Sequence, residues 1–154
     1  MTNTTDMQRA LQSFHQEWEE FLAVFQNLSE EEYLLPGAVG YWSVREALLH
    51  VAAWDVELVV IVDKYRRTGE KSDYGTDEEV DELNEDQVQE KHDFSMEQVW
   101  KHLHDSHQQL ADFLTGLPEE AFDPKSYSGD WIATDSFGHY VEHRENIERW
   151  KASR

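Results

Sequence analysis

Ser43-Val-Arg-Glu46-Ala-Leu-Leu-His50-Val-Ala-Ala-Trp54 is the stretch on which the reading of the chain turns. Ser43 followed by Glu46 is a capping box, in which the hydroxyl and the carboxylate satisfy free backbone N–H groups at a helix start. Behind it Val44, Ala47, Leu48, Val51, Trp54, Leu58 and Ile61 recur in steps of three and four, the spacing of an amphipathic helix. The basic pair Arg66–Arg67 before Gly69 suits the negative end of the helix dipole and predicts the end there. His50 lies inside this apolar run, where an imidazole needs a partner or a ligand to offset its burial.

Three further helices are predicted outward from this one. Met7, Leu11, Phe14, Trp18, Phe21, Leu22, Phe25 and Leu28 share one face of a first helix. Ser95 and Gln98 box the start of a third, whose stripe is Met96, Val99, Trp100, Leu103, His107, Leu110 and Leu114. A fourth is predicted from about Thr134 to Trp150. Burying four such stripes together makes an all-α four-helix bundle, with residues 1–154 as one domain. Helices two and three are joined by a long acidic connection, Thr68 to Phe94, in which Thr76 and Glu79 cap a short helix through Val88. Ten of the residues from Asp77 to Glu97 are acidic, which reads as a solvated face.

Composition narrows the function. The net charge is −20, which argues against nucleic acid and anionic membrane surfaces as partners. There is no cysteine, so the chain has no thiol chemistry of its own. The polar first ten residues do not resemble a signal peptide, and the longest apolar run is too short to span a bilayer. A cytoplasmic location is the expectation.

A weak internal repeat carries the chemistry. Leu28-Ser-Glu-Glu-Glu-Tyr33 is similar to Leu117-Pro-Glu-Glu-Ala-Phe122, an offset of 89 that also maps Trp42 onto Trp131, His50 onto His139 and Trp18 onto His107. His139 and His143, one helical turn apart, share a face with Glu142, Asn146 and Trp150. Two halves paired about a pseudo-twofold axis would bring His50 to His139. Three neutral imidazoles from His50, His139 and His143 would hold Zn²⁺ or Ni²⁺ with a position left open for substrate. Glu142 and Glu57 are the candidates for proton transfer, and Trp54, Trp150, Asn146 and His107 the candidates to line a pocket. His107 also reads as a packed core residue, and Trp42 and Trp131 as structural plugs at the bundle ends. His139-Tyr-Val-Glu142-His143 matches the inverted zinc-peptidase pattern as well, a permissive motif in a chain with no evident domain to hold a peptide.

Tyr41 to Trp54, together with Gly138-His-Tyr-Val-Glu-His-Arg-Glu-Asn-Ile147, resembles the helix signatures of the DinB-like superfamily. Asp81-Glu-Leu-Asn84 followed by Phe94-Ser-Met-Glu-Gln-Val99 is similar to its ClbS/DfsB branch. The resemblance implies an up-down-down-up bundle and a Ni²⁺ or Zn²⁺ on the three matching histidines. It also implies a metal-dependent hydrolase or thiol S-transferase that acts on a small electrophile, with a low-molecular-weight thiol as co-substrate. A homodimer is expected by the same analogy. The reading from a different class is a non-catalytic bundle that sequesters a ligand or confers stress resistance. An opening beside His50 separates the two, because an enzyme needs one.

Overall fold

In the computed structural model, which describes residues 4–154, the cap signals mark where helices begin. α1 spans Asp6–Ala23, α2 Glu30–Leu34, α3 Val44–Thr68, α4 Asp77–Gln89, α5 Met96–Thr115, α6 Tyr127–Asp135 and α7 Phe137–Ala152. A 3-10 turn at Glu119–Phe122 stands between α5 and α6, and the described residues form no β-strand. The capping boxes of Ser43, Thr76 and Ser95 are closed, as are two more at Thr5 and Ser29. α3 ends on Gly69 at φ +76°, a left-handed conformation that costs glycine little because it has no Cβ.

Two boundaries differ from expectation. The first helix stops at Ala23, and the chain turns through Asn27 at φ +70°. Phe25 is nonetheless buried, so its place in the apolar pattern reported burial rather than continued helix. The fourth helix begins at Phe137, not Thr134, because Thr134 and Asp135 belong to α6. Between them Ser136 breaks the ladder, its hydroxyl donating back to the Ile132 carbonyl. So tight a junction depends on Gly138, where a Cβ would stand 2.5 Å from the Ala133 carbonyl oxygen.

The helix directions follow from side-chain contacts. Arg144 of α7 meets Glu17 of α1, and Lys151 reaches the Val24 carbonyl, so α1 and α7 run parallel. Arg45 at the start of α3 donates to the Phe94 carbonyl just before α5, and those two are parallel as well. Trp18 stacks on His107, and Phe25 packs against Trp100, which makes α1 and α5 antiparallel. The course is up-down-down-up for α1, α3, α5 and α7. The repeat offset carries the α1–α7 pair onto the α5–α3 pair, and Trp18 stacks on its own equivalent, His107, with centroids 3.7 Å apart. The core runs the length of the bundle through Phe14, Phe21, Leu48, Leu58, Leu103, Leu110 and Ile147.

Gly129 fastens α6 to the preceding turn. A Cβ there would lie 1.9 Å from the Asp123 carbonyl oxygen, a clash with backbone that no rotamer relieves. Gly129→Ala is expected to cost about 3 kcal/mol in urea unfolding. Gly116→Ala, where the nearest atom is 3.6 Å away, is the control and should cost little.

Candidate metal centre

α3 delivers His50 from one side of the bundle, and α7 delivers His139 and His143 from the other. The three side chains converge through Nε2: His139 lies 3.1 Å from His50 and 2.9 Å from His143. All three residues are buried, and one ring nitrogen from each lies within 4.8 Å of the others. Their Nδ1 atoms are buried without a partner among the described residues.

Burial dominates the electrostatics. It drives the His50 pKa down to about 3, aided by His143, and that of His143 down to about 4. His139 is pushed well below the usual range by burial and by both neighbours. The rings are therefore neutral at physiological pH, with lone pairs available. Three Nε2 atoms this close cannot all carry a proton. A divalent ion with bonds of about 2.0–2.1 Å would hold its nitrogens slightly over 3 Å apart, so the donor set fits such an ion.

A pocket of about 410 Å³ opens onto all three histidines. Trp54, Tyr74 and Trp131 supply ring surface, and Asp135 and Glu142 supply carboxylates. Val80 and Asn84 of α4 complete the wall with Thr134. The segment read as a solvated acidic face therefore also covers the site. It is pinned by Glu85, which accepts from the Tyr41 hydroxyl and the Trp42 indole at 2.7 and 2.9 Å. Asp135 is raised to about 7 by burial and by the charge on Glu142.

The other sequence candidates fall in different places. Glu142 and Trp54 line the pocket. Glu57 stands behind the wall, accepting from the Tyr74 hydroxyl at 2.8 Å. Asn146 accepts from Arg149, and Trp150 packs under the Arg154 guanidinium, both away from the pocket wall. His107 is a core residue, stacked between Phe14 and Trp18. Trp131, read as an end plug, is instead a pocket wall, and Trp42 lies 4.9 Å from His50 between ring centroids.

Sequence reasoning missed a buried polar chain behind the histidines. His107 Nδ1 is 2.9 Å from the Tyr140 hydroxyl, which donates to Asp55 at 2.9 Å. Burial raises the Asp55 carboxyl well above its ordinary value and lowers His107 to about 3. The only sequence signal was an acid, Asp55, standing within the apolar run of α3.

An up-down-down-up helical bundle with converging histidines on its second and last long helices defines a class of compact helical proteins. The chain belongs to the DinB superfamily, whose family model matches residues 13–146. No curated protein matches it in sequence. Among solved structures it is similar to "Sibling Lethal Factor Precursor - DfsB", at 16% identity and TM-score 0.79 over 98% of each chain. It is also similar to the colibactin self-resistance protein ClbS in complex with a dsDNA, at 12% identity and TM-score 0.79 over 99% of this chain and 98% of that one. A Streptococcus pneumoniae protein aligns at 16% identity and TM-score 0.72, over 99% of this chain and 93% of that one. The first two belong to the branch that the sequence resembled.

The ClbS complex corrects the expectation that nucleic acid is excluded. A net charge of −20 describes the field far from the molecule, whereas a duplex is held by a local surface. No helix among the described residues is long and apolar enough to cross a membrane.

Proposed function

We propose that His50, His139 and His143 hold one divalent metal ion, Zn²⁺ or Ni²⁺, and that the protein is a metal-dependent hydrolase or thiol S-transferase acting on a small electrophile. The observation that carries this is the convergence of three buried, neutral Nε2 atoms beside an open pocket. When bound, the ion would supply Lewis-acid polarisation of a substrate atom. Glu142, in the pocket wall, would hold or move a proton at the substrate, while Glu57 orients the Tyr74 ring through its hydroxyl. Trp54 and Trp131 would exclude water from the reacting group. The same reading takes residues 1–154 as one cytoplasmic domain that pairs as a homodimer.

Metal content tests it. Protein free of any tag is expected to carry about one equivalent of zinc or nickel by plasma emission, and His139→Ala very little. Turnover that survives replacement of all three histidines by alanine would remove the metal from the chemistry.

A second reading has its own support. The similarity to a self-resistance protein solved with dsDNA makes a duplex a candidate partner and protection a candidate role. Fluorescence anisotropy of a labelled duplex across a salt series tests this, because contacts to phosphate give binding that falls as salt rises.

A further inference from the structure

The pocket combines ring surface with negative charge, and no Lys or Arg lies in its wall. The rings of Trp54 and Tyr74 are 5.2 Å apart between centroids, and those of Tyr74 and Trp131 are 6.3 Å apart. Two of the three have their polar ends engaged elsewhere. The Trp54 indole donates to Asn84 at 2.6 Å and the Tyr74 hydroxyl to Glu57 at 2.8 Å, so both offer a ligand mainly their rings. Asp135 Oδ2 is buried without a partner, in a side chain that no basic group reaches among the described residues. Glu142 is an exposed residue of the same wall.

Ligand chemistry follows from this wall. With the histidines metal-free, an anion would meet the Glu142 carboxylate and the half-protonated Asp135 carboxyl; a divalent ion on the histidines would add positive charge at that end of the pocket. A neutral apolar molecule would leave the buried Asp135 oxygen without a partner. A cation gains from both the ring quadrupoles and the carboxylates. We propose that the pocket takes a small organic cation, its ammonium nitrogen set against the ring surface of Trp54, Tyr74 and Trp131 and balanced by Asp135 and Glu142. This deepens the metal-site reading and rests on it for orientation: the far end of the ligand is the end directed to the histidines.

Calorimetry on the zinc-loaded protein and on the metal-free protein tests it, with choline as the probe and 3,3-dimethylbutan-1-ol as its uncharged isostere. Choline is expected to bind about tenfold more tightly than the alcohol, a difference of about 1.4 kcal/mol. Asp135→Asn and Glu142→Gln should each reduce choline affinity severalfold and leave the alcohol unchanged. Glu97→Gln, which removes an exposed charge outside the pocket wall, should change neither. Equal affinity for the two probes, or no choline binding at about 10 mM, overturns the proposal. So does an equal loss in Glu97→Gln, which would assign the attraction to the overall field of the protein. If the protein holds no metal yet still prefers choline, the metal reading fails and the cation pocket stands.

Discussion

Zinc at about a thousandfold over its dissociation constant is expected to raise the unfolding free energy by about 4 kcal/mol. In a chain of this size that is a rise in melting temperature of about 8–16 °C. His139→Ala should show almost none of it, because the His139 Nε2 lies 3.1 Å from that of His50 and 2.9 Å from that of His143. The metal-free protein should lose stability in acid, and the sign follows from proton counts. His50, His143 and His107 have folded pKa values of about 3, 4 and 3, and His139 is also depressed, while in the unfolded chain a histidine takes up its proton near pH 6.5. Between those limits the unfolded state holds more protons at each of these sites, so stability falls as pH drops below about 6.5, by up to about 1.4 kcal/mol per unit for each group. Asp55 and Asp135 act in the opposite sense, since their raised values keep a proton in the folded state that the unfolded chain releases. Four histidines against two acids leave the net slope towards acid lability. Urea unfolding at several pH values, with zinc and with chelator, reads both effects. A metal-free protein equally stable at pH 4.5 and 7 would contradict the burial argument.

Tyr140→Phe is expected to cost about 2–4 kcal/mol although it removes a single oxygen atom. That oxygen lies between His107 and Asp55, all three being buried, and without it both flanking groups lose their only side-chain partner among the described residues. Asp55 is the more affected by the loss, because its other oxygen already has no partner among the described residues. Asp55→Asn keeps an acceptor for the Tyr140 hydroxyl and should cost less. Denaturant unfolding of both variants, paired with metal analysis, separates a stability effect from one on the neighbouring His139. A Tyr140→Phe protein within about 0.5 kcal/mol of wild type would show that the chain contributes nothing net.

The bundle and its histidines were legible in the sequence because both depend on local period. The spacing that puts His139 and His143 on one face is set by the helix itself, and the repeat offset that aligned His50 with His139 required only two similar halves. The pocket was not legible in this way. Val80, Asn84 and Tyr74 reach it from a connection whose dominant pattern is acidity, and what docks that connection is a set of long-range bonds with no periodic trace. Arg45, for example, donates to the carbonyls of Lys91, His92 and Phe94 at 3.0, 2.8 and 2.7 Å. α6 was missed for a related reason: it is short and tucked between two turns, and its fit depends on the absent Cβ atoms of Gly129 and Gly138. The exclusion of nucleic acid failed on a different ground, since it treated a total charge as if it were a local one.

The offset that relates His50 to His139 also relates Trp54 to His143. Two identical halves would present four rings in matched positions, two from each helix, and a symmetric cage of that kind would close around an ion. In this chain the fourth corner is an indole, which offers no lone pair and forms part of the pocket wall. The departure from symmetry at one position is thus what gives the histidine cluster a front and a back, with a mouth on the side where the duplicate histidine is missing.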